Sequence, residues 1–186
     1  IKKISGGIWE GSVSSTQSYT ENIYIKFKVL HPNGNNLHSV IGIGSNSSIS
    51  QPNEIDYGLY FEQGTSLKVV HNYNEMSPNM GGYVKNDIFE IIYSETEVKY
   101  YKNSILLNYT STNVPTNKVF YLNIALRNDN YLGDEFFEIL EFTGKAFNVD
   151  SSTFIVNNLN YNTNLSYNLL LYMPLNNTDK YIYTNR

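Results

Sequence analysis

Between residues 22 and 30 apolar and polar side chains alternate without a break. Ile23, Ile25, Phe27 and Val29 share one parity, and Tyr24, Lys26 and Lys28 take the other. A period of two is that of a strand, so the four apolar residues are expected on one face, against a core. Shorter alternating or continuous apolar runs recur at 7–13, 39–44, 55–63, 66–74, 87–94, 97–102, 105–110, 119–127 and 135–143. Turn-forming residues punctuate them: Pro32-Asn33-Gly34, Gln63-Gly64-Thr65, Gly81-Gly82 and Lys102-Asn103-Ser104. No stretch of helical period intervenes. Strands at this spacing predict an all-β chain folded as a two-sheet antiparallel β-sandwich or jelly roll, with helix below about a tenth of the residues.

The pattern changes after Gly144. Residues 1–145 read as the sandwich. Residues 146–186 read as a C-terminal extended arm: an Asn-rich linker with an apolar island at Phe154-Ile155-Val156 and an extra strand at 168–175. Such an arm is expected to open a further domain or to reach a neighbouring subunit, because Leu169, Leu171 and Leu175 need something to pack on. A first residue of Ile rather than Met leads to the expectation of a processed protein or a piece of a longer one.

Composition sharpens the β reading. The 186 residues include 17 Tyr and nine Phe, but Ala only at Ala125 and Ala146. Bulky and β-branched side chains suit a pleated surface, and a helix-rich domain would use more Ala. Abundant Asn fits many turns. Thirteen Lys and Arg are spread thinly in a chain of net charge −4, which argues against a nucleic-acid partner. No apolar run approaches the roughly 20 residues that membrane insertion needs. The absence of Cys removes disulfides and thiolate chemistry, and fits a cytosolic origin or a particle assembled there, such as a virus. Sequons at Asn46, Asn108, Asn164 and Asn176 are what an Asn- and Ser-rich chain produces by chance.

Three segments carry a family likeness. One is Ile41-Gly42-Ile43-Gly44 followed by Ile55-Asp56-Tyr57-Gly58-Leu59-Tyr60-Phe61. Another runs from Tyr83 to Ile92, an aromatic, a turn, polar residues and then a strand. The third is Val98-Lys99-Tyr100-Tyr101-Lys102-Asn103-Ser104-Ile105-Leu106-Leu107, a hairpin in which Ser104 stands where such hairpins usually have Gly. Together they resemble the concanavalin A-like lectin/glucanase superfamily, in its laminin-G-like and SPRY-like variety, over roughly residues 7–143. The Ser at 104 implies a looser turn, or one with Asn103 at positive φ. A weaker echo at 169–176 is similar to the opening strand of another laminin-G-like domain. The resemblance implies a fold more than a function, since lectins, glycosidases and protein-binding modules share it.

Glycosidases of that superfamily carry the pattern Glu-x-Asp-x-(x)-Glu along one strand, which puts the acids on one face. Glu54-Ile55-Asp56 matches its first half, but Gly58 or Leu59 stands where the acid/base belongs, and Glu62 is too far along. Glu138 and Glu141 lack a middle Asp, and alternation puts them on opposite faces. All these carboxylates are expected to be solvated strand residues, and no catalytic residue is assigned. His31 and His38 flank a turn without a third ligand, which makes a poor metal site. His71 stands alone. Gly42-Ile43-Gly44 lies in a strand and lacks the rest of a nucleotide fingerprint. Trp9 reads as sheet packing rather than a sugar platform.

Two loops remain as ligand sites. Residues 127–134 offer Asp129, Asn130, Tyr131 and Asp134, oxygens and a ring suited to sugar hydroxyls and a sugar's apolar face, or weakly to Ca2+. A solvated Asx turn is the plainer alternative. Residues 72–82, with Tyr73, Asn74, Met76 and Met80, have the composition of an adaptable contact surface. The expected function is a non-catalytic recognition module, binding a glycan or a surface protein without a cofactor. It is expected on a virion or extracellular surface, alongside other domains or subunits of the same assembly. A purely structural packing domain is the alternative, and a glycoside hydrolase a more distant one.

Overall fold

A computed structural model describes residues 11–30, 37–62, 66–72, 75–128, 136–145, 155–156 and 159–160. The chain divides into two units, Ile1–Phe147 and Asn148–Arg186. The first holds eleven described strands: β1 (Gly11–Tyr19), β2 (Glu21–Val29), β3 (Leu37–Gly44), β4 (Tyr57–Glu62), β5 (Ser66–His71), β6 (Glu75–Met76), β7 (Ile88–Ser94), β8 (Glu97–Lys102), β9 (Ile105–Ser111), β10 (Phe120–Asn128) and β11 (Phe137–Lys145). Its helical content among the described residues is one short 3-10 turn, Pro52–Glu54. In the second unit β12 (Ile155–Val156) pairs antiparallel with β13 (Leu159–Asn160). The expected strand at 168–175 lies outside the described residues. Among those residues no helix is long and apolar enough to cross a membrane.

Two antiparallel sheets make the sandwich, one in the order β1-β10-β3-β4-β5-β6 and one in the order β11-β2-β7-β8-β9. At both ends of the first unit consecutive strands alternate between the sheets, and β3-β4-β5 and β7-β8-β9 run as meanders. The core-facing parity of β2 is the one that alternation predicts, with Ile23, Ile25, Phe27 and Val29 all buried. At the centre, Phe61 is fully buried and meets Phe27, Tyr83, Phe89 and Phe137 at ring separations of 6.0, 5.0, 5.0 and 5.4 Å. Three of these contacts are edge-to-face, the favoured arrangement of aromatic quadrupoles.

Several expectations need correction. The first described strand is Gly11–Tyr19, and it carries on through the polar run Ser14–Ser18. As an edge strand it is held by backbone pairing to β10 across a bulge between Ser14 and Ser18. Ser15 Oγ also accepts from the Leu122 amide at 3.0 Å. Pairing of this kind leaves no hydrophobic signature. The segment 72–82 holds the short edge strand β6, and Met80 packs against the core rather than serving a contact surface. Met76 does remain half exposed.

Glu138 and Glu141 were expected on opposite faces. A bulge between Ile139 and Glu141 inserts Leu140, so Glu138 pairs with Lys28 and Glu141 with Lys26, two positions of one parity. Both acids therefore face outward with lysines, and Leu140 becomes an exposed apolar side chain.

Turn chemistry explains the Asn content. Eight described non-glycine residues have positive φ, and six of them are Asn, so the amide-rich composition serves the turns. In the β8–β9 hairpin Asn103 (φ 48°) and Ser104 (φ 66°) are both left-handed, the two-residue turn that prefers Asn-Gly. Ser104→Gly is expected to raise stability by about 1 kcal/mol, read as a higher melting temperature. A lower one would mean that the serine hydroxyl holds the turn.

The same hairpin is locked by Asp87. Its carboxylate accepts from Asn103 Nδ2 (2.8 Å), the Val84 amide (2.8 Å) and Lys102 Nζ (3.0 Å). Burial pushes this carboxyl up, but the hydrogen bonds from Asn103, Val84 and Lys102 outweigh it and leave it below its ordinary value. A depressed carboxylate contributes stability above the unfolded pKa of about 3.9 and loses it as pH falls through the lower folded value. Asp87→Asn is therefore expected to cost about 2 kcal/mol at pH 7. In urea unfolding the gap to the parent should narrow as the pH falls below about 4. A gap independent of pH would remove the charge from the explanation.

Candidate functional site

Alternation gives the six-stranded sheet an outer face as well as a core face. Ile41, Ile43, Leu59 and Phe61 point into the core, so His38, Val40, Gly42, Gly58, Tyr60 and Glu62 point out. Half of this face is covered. The segment from Ser45 to Asp56, expected in part as strand, folds back over it. Ile49 and Ile55 bury themselves against Val40, Val70 and Ala125, with Tyr60 at the margin. Ser12 Oγ ties the flap down by donating to the Ile49 carbonyl at 2.6 Å. Gly42 and Gly58 are paired neighbours beneath it. A Cβ on Gly58 would stand 2.5 Å from the Ile41 carbonyl oxygen, so the two strands require glycine there.

The flap settles the carboxylates of the half-motif. Glu54 lies in the 3-10 turn rather than on a strand, and its carboxylate accepts from the Ser50 amide (2.5 Å) and the Gln51 amide (3.4 Å). Asp56 is 1% exposed. Its Oδ2 accepts from the Ser45 amide and from Lys118 Nζ, both at 3.0 Å. They are thus structural groups, one a turn cap and one a buried ion-pair partner, instead of the solvated strand residues expected.

Beyond the flap the outer face is polar and partly open. Five side chains from four adjacent strands meet there: Arg127 of β10, His38 of β3, Tyr60 and Glu62 of β4, and Lys68 of β5. Arg127 is registered with His38, Val40 with Tyr60, and Tyr60 with Lys68. The His38 and Tyr60 rings are stacked, with centroids 5.8 Å apart and planes at 23°. His38 Nδ1 lies 2.6 Å from the Tyr60 hydroxyl. Lys68 Nζ pairs with Glu62 at 2.7 Å. Burial, with the nearby Glu62 charge, pushes the Tyr60 phenol up to about 12 against the opposing pull of Arg127. The hydroxyl therefore stays protonated near neutral pH. Glu62 is held below its ordinary value, first by the Lys68 hydrogen bond and, more weakly, by Ser66 and His38.

Asp129, Asn130, Tyr131, Asp134, Tyr73 and Asn74 lie outside the described residues, as do Trp9 and His31. The described strand that leads toward four of them, β10, ends at Asn128, paired with Leu37 beside His38. Sequence reading missed the patch itself. The signal lay in strand parity: polar residues at the outward positions of four central strands of one sheet. His38 was weighed only as a metal ligand with His31, and in the fold its Nδ1 instead meets a tyrosine. Among the described residues no three His, Asp or Glu gather where a metal could sit.

The outer face of the other sheet differs. There Lys26 pairs with Glu90 at 3.3 Å and Lys28 with Glu138 at 2.6 Å, a balanced ladder of the kind that solvated sheets carry.

No known family and no curated protein matches this sequence. Solved structures do match the fold. The SPRY domain of human HERC1 superimposes with a TM-score of 0.55 at 14% identity, over 72% of this chain and 84% of that one. The TRIM65 PSpry domain gives 0.48 at 14% identity, over 73% and 72%. The carbohydrate recognition domain of Emp47p gives 0.47 at 11% identity, over 72% and 74%. With the two-sheet topology, the superposition on the SPRY domain identifies the fold of this chain as the concanavalin A-like β-sandwich.

Proposed function

We propose that the sandwich is a recognition module that binds a carbohydrate on the open half of its six-stranded sheet and carries out no hydrolysis. The observation behind this reading is the stacked His38–Tyr60 pair set among Arg127, Glu62 and Lys68. A ring beside several oriented donors and acceptors suits a sugar, which has an apolar face and a rim of hydroxyls. Rigid strands hold all five groups. Against catalysis speaks the engagement of Glu54 and Asp56 in the flap, since a retaining pair needs two free carboxyls about 5–5.5 Å apart. Display on a virion or cell surface, beside other subunits, belongs to the same proposal.

Single-sugar sites are often only millimolar, worth about −4 kcal/mol. Losing one ring contact of about 1 kcal/mol, together with a hydrogen bond of similar size, brings such binding below detection. Glycan-array binding by the parent, lost in Tyr60→Ala and in Glu62→Gln, with no turnover of β-glucans by any of the three proteins, is the expected outcome. Binding that survives both substitutions would move the site elsewhere. Turnover abolished by Glu54→Gln would replace the reading by a hydrolase.

A packing role has one observation in its favour. At the tip of the β8–β9 hairpin Ile105 is 72% and Leu106 50% exposed. Apolar side chains so placed suit a protein neighbour. If packing is the function, sedimentation should show self-association that Ile105→Lys and Leu106→Lys abolish, with no glycan bound.

A further inference from the structure

We infer that the flap covers a second sugar subsite, formed at Asn123 and Asp56, and that the ligand is an oligosaccharide long enough to displace the flap and fill it; the inference rests on the carbohydrate reading above. Strand register makes the covered strip a continuation of the open patch. His38 and Arg127 form one row across the sheet, Val40, Tyr60 and Lys68 the next, and Asn123, Gly42, Gly58 and Val70 the one after. Rows on one face are two residues apart, about 7 Å along the strands. A chain of sugars that starts on Tyr60 and follows the strands toward Gly42 therefore meets the flap within one row.

Two buried oxygens mark the strip. Asn123 is fully buried and Asp56 nearly so. The Asn123 amide donates to the Asn46 carbonyl of the flap at 3.1 Å, and Asp56 Oδ2 is engaged by Ser45 and Lys118. Asn123 Oδ1 and Asp56 Oδ1, in contrast, have no hydrogen-bond partner among the described residues. Buried acceptors left unmade are costly and uncommon, and each one asks for a donor. Sugar hydroxyls are donors of that kind. Gly42 and Gly58 carry no side chains, so the floor between Asn123 and Val70 is bare backbone once Ile49 and Ile55 lift away.

The middle of the flap is held by apolar packing and by two serines of the edge strand β1. Ile49 and Ile55 rest on Val40, Val70 and Ala125. Ser12 Oγ donates to the Ile49 carbonyl at 2.6 Å, and Ser14 Oγ accepts from the Ile49 amide at 3.4 Å. Closure thus gains apolar burial and leaves the two oxygens unmet. A ligand that meets them binds the open state better than the closed one, and shifts the balance by that difference.

The test uses the full chain and oligomers of glucose, galactose, mannose and N-acetylglucosamine, each from the single sugar to the hexamer. Binding is followed by calorimetry or ligand-observed NMR. In the series that binds, the hexamer is expected to bind at least about tenfold tighter than the dimer. The chain has no Cys, so Ser12→Cys combined with Ile49→Cys introduces a single disulfide that holds the flap shut. In the oxidised protein the gain with length should vanish, and reductant should restore it. Ile49→Ala loosens the flap, and should raise hexamer affinity by about fivefold or more while leaving the single sugar unchanged. It carries the comparison if the disulfide does not form. Asn123→Ala also removes a tie of the flap, yet it should lose the gain with length, because an acceptor of the subsite is gone. Melting curves check that each variant folds.

Equal affinity along the series, or a gain with length that survives both the closed disulfide and Asn123→Ala, would overturn the subsite. The carbohydrate reading would still stand where Tyr60→Ala abolishes binding. Tighter hexamer binding by Asn123→Ala, as by Ile49→Ala, would also overturn it, since the amide would then be a tie and nothing more. Failure of every probe, with the parent and with Ile49→Ala, would remove both readings.

Discussion

Replacing Phe61 by alanine is expected to lower stability by about 4 kcal/mol, enough to unfold much of the population of a marginally stable domain. The side chain is fully buried and meets four aromatic rings, three from the facing sheet and one from the segment before β7. Truncation removes the transfer energy of the ring and leaves a space that Phe27, Tyr83, Phe89 and Phe137 cannot fill. The facing sheet holds three of them in place. Phe61→Leu, which keeps most of the volume, should cost clearly less. Urea unfolding of both variants checks this. A loss below about 1.5 kcal/mol for alanine would mean that the sheets close over the gap.

Gly42→Ala is expected to be comparably damaging, at about 3 kcal/mol or more, through the opposite fault of too much volume. A Cβ there would run into the carbonyl oxygen of Tyr57 and crowd the Cα of Gly58 at 2.5 Å. The obstacle is backbone of the paired strand, which no side-chain rotation relieves. β3 and β4 must separate, and the flap above them must lift. Gly58→Ala should behave alike, because its Cβ meets the Ile41 carbonyl oxygen at 2.5 Å and the Gly42 Cα at 3.0 Å. Failure to accumulate as folded protein, or a steep drop in melting temperature, is the expected reading. Parent-like melting would mean that the close approach relaxes easily.

These two positions divide sharply in how far sequence reading reached them. Phe61 lies in a run that was legible as a strand, and its place at the centre of the core came with the fold. Gly42 and Gly58 lay in the runs that carried the family likeness, yet their role as a contact pair came from strand register. The hairpin at Asn103 was legible because left-handed turns leave a residue signature. The bulges at Ser14–Ser18 and at Leu140 were not, because an extra residue in a ladder changes pairing partners without changing composition. That is why Glu138 and Glu141 were expected on opposite faces and are found on one.

For the candidate site the same contrast applies. Sequence reading looked to loops, where Asp, Asn and Tyr cluster along the chain at 129–134. The patch that the fold assembles draws on residues at 38, 60, 62, 68 and 127, none of which sequence reading placed together with another. Glu54 and Asp56 were legible as a half-motif, but the turn that engages Glu54 and the burial of Asp56 were not.

By itself the sequence determined the all-β sandwich, several of its turns and which parity of the strand at 21–29 faces the core. Those follow from local rules: the period of two, the left-handed tolerance of Asn and Gly, and the burial of apolar side chains. Only the tertiary structure decided which outward residues become neighbours, because strand order and register bring together positions up to 89 residues apart, His38 and Arg127 among them. It alone decided that Ile49 and Ile55 would seal half of one face. Their burial depends on Val40, Val70 and Ala125, which come from three different strands. Long-range pairing is a property of the whole sheet, and no window of sequence contains it.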